Sequence, residues 1–314
     1  MNIPEISHLQ QAHNRIMPLI HRTPVMTSRY LNSLLGCELF FKCENFQKVG
    51  AFKFRGAANA LLSLTQEELR NGVATHSSGN HAQALALAAK LLGTKATIIM
   101  PRNSPAVKKN AVAGYGADII LCEPTLESRE QTLRQFVDKT GAAFIHPYDN
   151  FNIICGQGTA AIELIEEVGS LDAVVAPVGG GGLLSGTSIA TKSLLRNAKV
   201  FGAEPAGADD AARSLRSGVR VESNVPNTIA DGLRTTLSPL TFSILKQNVQ
   251  DIITIDDQAI ISAMKLIWER MKIIVEPSSA TALAAVAAER EQFAGCRVGI
   301  ILSGGNVDLD NLPW

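Results

Sequence analysis

Along the chain, short runs rich in β-branched residues alternate with longer stretches whose apolar residues recur at helical spacing. Glu38–Lys42, Val73–His76, Ala96–Met100, Asp118–Cys122, Ala143–His146, Asp172–Pro177, Lys199–Glu204, Asp251–Ile255 and Arg297–Ser303 read as strands. Asn80–Leu92, Pro105–Gly114, Leu126–Thr140, Gln157–Val168, Leu183–Leu195, Asp257–Lys272 and Pro277–Gln292 read as helices, several opening after Gly, Ser or Pro. The alternation predicts an α/β fold with mostly parallel sheet, because parallel neighbours need a crossover between them. No repeat, low-complexity tract or long linker marks a domain boundary, so any division has to come from motifs.

Composition narrows the classes of function. Among 314 residues, 29 Lys and Arg balance 29 Asp and Glu, so no basic field is available for a nucleic acid or an anionic membrane. Apolar residues make up 46% and charged residues 18%, the balance of a packed globular protein. The five cysteines, Cys37, Cys43, Cys122, Cys155 and Cys296, form no CxxC pair and no zinc-like cluster, and are expected to be free thiols in a reducing compartment. Glu5 and His8 interrupt the N-terminal stretch where a signal peptide would need an apolar core. No apolar run reaches the roughly 20 residues of a membrane span. The expectation is a cytoplasmic protein.

In open α/β folds, ligands gather where strands end and helices begin. Four such junctions carry candidate chemistry. After Ala173–Val178 come Gly179, Gly180, Gly181 and Gly182, then the helical pattern from Leu183. Glycines at a helix start present N–H groups without a Cβ in the way, which suits a phosphate, although a close-packed turn would use the same residues. The Walker pattern fails because Thr187, not Lys, follows Gly186, and GxGxxG fails at Leu183 and Leu184. A looser GxGxxA at Gly156, Gly158 and Ala161 leaves open a nicotinamide-dependent oxidoreductase or a tight helix start. At the second junction, Thr75–His76–Ser77–Ser78–Gly79–Asn80–His81 has more polar groups than a cap needs, which suits a bound carboxylate or solvated neighbours of a cap. At the third, Lys53 lies between Phe52 and Phe54, where desolvation frees an amine for Schiff-base chemistry if the residue is not simply on the surface. The fourth, Ser303–Gly304–Gly305–Asn306, puts a hydroxyl at the end of an apolar strand.

Taken together, these motifs resemble the fold type II pyridoxal-phosphate enzymes, in particular the serine racemase, serine/threonine dehydratase and threo-3-hydroxyaspartate dehydratase group. The resemblance extends from His21–Val25 through Ala51–Ala57, Ser77–His81, Gly156–Thr159, Gly179–Gly182 and Trp268–Lys272 to Ser303–Asn306. It implies two open, twisted, mostly parallel sheets flanked by helices, like the β subunit of tryptophan synthase. It also implies a large cofactor-binding domain over 1–71 and 150–314 and a small domain over 72–149. Glu204–Pro205, Ala208, Asp210 and Glu276–Pro277 look closer to serine racemase and hydroxyaspartate dehydratases than to catabolic threonine dehydratase.

The resemblance also assigns roles. Lys53 would hold pyridoxal phosphate in Schiff-base linkage and later take the α-proton, Gly179–Gly182 with Leu183 would bind its phosphate, Asn80 its 3-oxygen and Ser303 its ring nitrogen, with Phe52 against the ring. Ser77, Asn80 and His81 would bind the substrate carboxylate, and Ser78 matches the serine that makes racemisation possible. Arg129 matches an arginine that meets a second carboxylate, or is a solvated helix cation. Glu204, the carbonyl of Ala208 and Asp210 match a divalent-cation site suited to Mg²⁺ or Ca²⁺, unless the acids only favour a helix start. Lys48, Gln83, Lys108 and Tyr115 match ATP-binding positions of mammalian serine racemase, but Val49 replaces an expected threonine and Ala51 a common serine. No regulatory domain follows Ser303–Asn306, so isoleucine feedback is not expected. The implied activity is that of a homodimeric ammonia-lyase converting L-serine, L-threonine or L-threo-3-hydroxyaspartate to a 2-oxo acid. The alternatives are a serine racemase with side dehydratase activity and a non-catalytic small-molecule-binding protein.

Overall fold

The computed structural model describes residues 2–223 and 225–314. Its strands are β1 Val25–Met26, β2 Glu38–Cys43, β3 Val73–His76, β4 Ala96–Pro101, β5 Asp118–Cys122, β6 Ala143–Phe144, β7 Ala173–Pro177, β8 Lys199–Pro205, β9 Asp251–Ile255 and β10 Arg297–Leu302. They form a larger sheet of order β1-β2-β10-β7-β8-β9 and a smaller one of order β5-β4-β3-β6. Every pairing is parallel except that of β1 with β2. The smaller sheet is drawn from one continuous stretch, and the larger from both sides of it in sequence.

Both faces of the larger sheet are covered, which is why β7 reads as an unbroken apolar run rather than an alternation. Leu39, Phe41, Val298 and Ile300 pack on one side with residues of helices Asp257–Met271 and Pro277–Ala288. Val174, Ile301 and Leu184 pack on the other, Leu184 from helix Gly182–Leu194.

Several boundaries differ from expectation for identifiable reasons. Strand Ala143–His146 stops at Phe144, because His146 Nδ1 accepts from the backbone N–H groups of Tyr148 and Asp149 and turns the chain. The helix expected from Gln157 begins at Phe151, where Asn150 caps it by accepting from Ile153 N at 3.0 Å. Gly156 and Gly158 therefore lie inside a helix, not in a phosphate loop. A Cβ on Gly156 would stand 2.5 Å from the Arg55 carbonyl oxygen, and one on Gly158 2.8 Å from that of Gly186. Those glycines let helix Phe151–Val168 touch the backbones of helices Lys53–Leu62 and Gly182–Leu194, and the dinucleotide reading of GxGxxA is corrected accordingly. Helix Pro277–Gln292 breaks at Ala288, and β1 and helices Ile6–Ile16, Arg29–Leu35, Gln66–Asn71, Asp210–Ser217 and Pro239–Asn248 were not anticipated.

Under helix Lys53–Leu62 lies a fully buried ionic cluster. Arg55 Nε donates to Glu44 at 2.7 Å, Arg55 Nη2 to Glu163 at 2.7 Å, and Lys42 Nζ lies 2.7 Å from Glu163. It binds β2, the Lys53 helix and helix Phe151–Val168 together at the base of the site.

Candidate active site

Lys53 opens its helix directly after Phe52, whose backbone N–H donates to the Ser303 carbonyl at 3.0 Å. The end of β10 thus sets where the lysine side chain starts. Lys53 Nζ donates to the Pro147 carbonyl at 2.9 Å and lies 5.1 Å from the centre of the Phe52 ring. Burial lowers the amine to a pKa of about 8, against the opposing charge of Glu276. At that value roughly one amine in ten is neutral at pH 7, against fewer than about one in a thousand for an ordinary lysine.

Pro147 links this amine to the glycine loop, because the ring of the next residue, Tyr148, lies against Gly180. A Cβ on Gly180 would meet that ring at 2.4 Å. One on Gly179 would stand 2.9 Å from Leu233 Cα, one on Gly181 2.7 Å from Leu237, and one on Gly182 2.7 Å from Gln157 Oε1. Gly181 also has φ +87°, in the left-handed region that favours glycine. Packing and backbone conformation thus favour glycine along this run, and the helix it opens has no side-chain cap, which leaves N–H groups free at its start.

The start of helix Asn80–Leu91 faces the site from the smaller sheet. Gly79 precedes it with no side-chain cap, and Ser77 Oγ accepts only from Gly79 N at 3.4 Å, so the first-turn N–H groups are left for a ligand. Asn80 Nδ2 donates to both oxygens of Glu276, at 2.9 and 3.2 Å, and Asn80 Oδ1 accepts from Asn306 Nδ2 at 2.9 Å. Burial, with the charge of Asp231, pushes Glu276 up to about 7. The buried His81 ring bonds the Ile145 carbonyl through Nε2 at 3.1 Å, and burial and the Lys53 charge lower it to about 3. That ring is therefore neutral and structural, and what His81 can offer an anion is its backbone N–H.

Around the same opening, His76 stacks on Phe144, and His146 meets His76, Phe144 and Tyr148 edge to face. Burial lowers the pKa of His76, with the Arg129 charge as the next cause, and the Arg129 side chain itself donates from Nε to the Thr125 carbonyl at 3.3 Å. Ser303 is buried at the end of β10.

The chain matches, over residues 16–304, a family described as pyridoxal-phosphate dependent enzyme. It belongs to that family. It is 53% identical over 312 residues to a serine racemase of Dictyostelium discoideum, covering 98% of this chain and 96% of that one. It is 51% identical over 314 residues to a beta-hydroxyaspartate dehydratase of Paracoccus denitrificans, covering all of both. The crystal structure of the Dictyostelium protein superimposes with a TM-score of 0.94 over 97% of this chain and 99% of that one. The fold is thus that of the fold type II pyridoxal-phosphate enzymes. The residues present fit the cofactor: a run of glycines packed too closely for side chains, opening a helix whose free N–H groups suit a phosphate, and a lysine amine whose charged form burial disfavours.

Of the expected cation set, Glu204 and Asp210 are both buried, and Glu204 accepts from Ala211 N and Ala212 N at 2.9 and 2.8 Å. Burial pushes Glu204 up to about 8, with the charges of Asp210 and Asp209 adding to the rise. Among the described residues no group of three or more His, Cys, Asp and Glu side chains gathers as a metal site. Of the positions matched to ATP binding, Lys108 pairs with Asp231 at 2.5 Å and Lys48 lies 5.6 Å from the Phe54 ring. Val49 has φ +58°, and its carbonyl accepts from Asn306 Nδ2 at 2.7 Å. Among the described residues no helix is long and apolar enough to cross a membrane.

Sequence reading assigned no role to Glu276, Asn306, Pro147 or Tyr148. The signals for Glu276 were its place in the Glu276–Pro277 pair that resembles serine racemase and a carboxylate ending the apolar run Ile273–Val275 just before a helix-opening proline.

Proposed function

We propose that the protein is a pyridoxal-phosphate-dependent ammonia-lyase that removes water and ammonia from a β-hydroxy amino acid, L-serine, L-threonine or L-threo-3-hydroxyaspartate, to give a 2-oxo acid. One observation carries the reading: a lysine amine at pKa about 8, tied through Pro147 and Tyr148 to a close-packed glycine run at a helix start. The names of the relatives support the substrate class.

In this reading Gly179–Gly182 and Leu183 hold the phosphate, Asn80 and Ser303 hold the ring, and Phe52 packs on it. The cofactor supplies an electron sink for the substrate's α-carbon. Lys53 takes the α-proton, a role its lowered pKa suits near neutral pH. Ser77 and the first-turn N–H groups of Asn80 and His81 orient the substrate carboxylate. Arg129 meets a second carboxylate, which favours hydroxyaspartate. Asn80 keeps its orientation because Glu276 and Asn306 hold both ends of its amide. Steady-state release of 2-oxo acid and ammonia from the three substrates tests the reading, and no turnover of any of them overturns it.

Serine racemase is the second reading, favoured by Ser78 beside the open helix start and by the names of several relatives. Ser78→Ala then loses racemisation while keeping elimination from the L-isomer. The reading also takes 1–71 with 150–314 as the cofactor domain and 72–149 as the small domain, in a cytoplasmic homodimer. Glu204, Asp210 and the Ala208 carbonyl bind Mg²⁺ or Ca²⁺ in it, and ATP is not assigned a role.

A further inference from the structure

At the end of the larger sheet remote from Lys53 and Ser303, β2 and β10 begin side by side, each preceded by a cysteine. Their register pairs Glu38 with Arg297, Leu39 with Val298 and Phe41 with Ile300. It continues outward, with Glu38 N donating to the Cys296 carbonyl at 2.9 Å and Gly295 N to the Gly36 carbonyl at 2.8 Å. Cys37 and Cys296 therefore stand opposite one another. Residues two apart on a strand share a face. Both cysteines accordingly lie on the face of Leu39, Phe41, Val298 and Ile300, with Cys37 in that core and Cys296 packed against it. Neighbouring strands run about 4.8 Å apart, inside the Cα separation of roughly 4.4–6.8 Å that a disulfide spans. Cys37 is 6% exposed, whereas Cys296 is half-buried and lines a recess of about 280 Å³ with Leu171, Phe201 and Phe293. Burial, with the neighbouring Cys296 as a lesser cause, pushes the Cys37 thiol up to about 11.

We propose that Cys37 and Cys296 are a redox pair that a hydroperoxide closes to a disulfide and a dithiol reopens. The more accessible Cys296 sulfur reacts first: its S–O bond forms as the O–O bond of hydrogen peroxide breaks, leaving a sulfenic acid and one water. The Cys37 sulfur then attacks the Cys296 sulfur, the S–S bond forms, the S–O bond breaks and a second water leaves. Two thiols lose two electrons and two protons, and the peroxide is reduced to two waters. Reduction by a dithiol returns both thiols by exchange. The clasp joins the strand that leads to Lys53 with the strand that leads to Ser303, at the ends away from the chemistry. It also holds Cys296 at a reversible step, short of sulfinic acid.

The test treats the cofactor-loaded protein with hydrogen peroxide, alkylates free thiols after unfolding, and maps peptides without reduction. Two of the five thiols are expected to disappear, with the Cys37 and Cys296 peptides linked and dithiothreitol restoring both. In Cys37→Ser, Cys296 is expected to advance to sulfinic acid under the same exposure, with no linked peptide. Five alkylatable thiols after treatment overturn the proposal. So does wild-type protein in which Cys296 is oxidised alone while Cys37 stays free, or a link between other cysteines.

Discussion

The side-chain amide of Asn80 donates to both carboxylate oxygens of Glu276, at 2.9 and 3.2 Å, across 196 positions of sequence. Glu276 in turn accepts from the backbone of Asn306, which anchors Asn80 Oδ1 from the other side. The three residues join the start of a helix on the smaller sheet to the loop that follows β10 on the larger one. A ligand held by Asn80 therefore experiences the relative position of the two sheets.

Glu276→Ala leaves the Asn80 amide and the Asn306 N–H without their buried partner, an omission that costs about 1–3 kcal/mol. Lower thermal stability and weaker retention of pyridoxal phosphate are the expected results, read by calorimetry and by dialysis with absorbance. Glu276→Gln, which keeps one acceptor oxygen, is expected to recover part of both.

Gly180→Ala forces a methyl group to within 2.4 Å of the Tyr148 ring. The ring must move, and it is followed by a change in the Pro147 turn that holds Lys53. A loss of cofactor affinity of about tenfold, roughly 1.4 kcal/mol, is expected. Tyr148→Ala in the same chain should restore part of it, and equilibrium titration of the apo-protein with pyridoxal phosphate measures both effects.

Arg55 and Lys42 balance the charges of Glu44 and Glu163 with no solvent access. Arg55→Ala leaves Glu44 without its cation and Glu163 with Lys42 alone, and breaking a buried pair of this kind costs about 3–5 kcal/mol. Denaturant unfolding is expected to show that loss, with the protein folding poorly at 37 °C. A change below about 1 kcal/mol would contradict the burial of this cluster.

The lowered pKa of Lys53 has a pH signature. Only the neutral amine attacks the cofactor's aldehyde, and burial raises its neutral fraction by pulling the pKa down to about 8. Uptake of pyridoxal phosphate by the apo-protein is therefore expected to accelerate as pH rises and to level off above about 8. Stopped-flow absorbance reads the profile, and continued acceleration toward pH 10 would place Lys53 in water.

The residues legible in the sequence are those whose chemistry is local. Gly179–Gly182 stand together before a helix, Ser77–His81 crowd one helix start, and Lys53 lies between two aromatic residues. Strands such as β3, β5 and β9 were bounded correctly because each is a short run rich in β-branched and apolar residues between helical patterns. Glu276, Asn306 and Tyr148 carry no such local pattern, since each acts on a partner distant in sequence. Gly156 and Gly158 left two readings open for the converse reason: glycine serves a close helix–helix contact as readily as a phosphate loop, and only the packing of helix Phe151–Val168 tells the two apart.

The central claim is that Lys53 carries the cofactor. Borohydride reduction of the purified protein after incubation with pyridoxal phosphate, followed by peptide mass mapping, tests it most directly. The account predicts an absorbance band above about 400 nm that disappears on reduction and a pyridoxyl group on Lys53. A protein that stays colourless and unlabelled, or is labelled at another lysine, would contradict it.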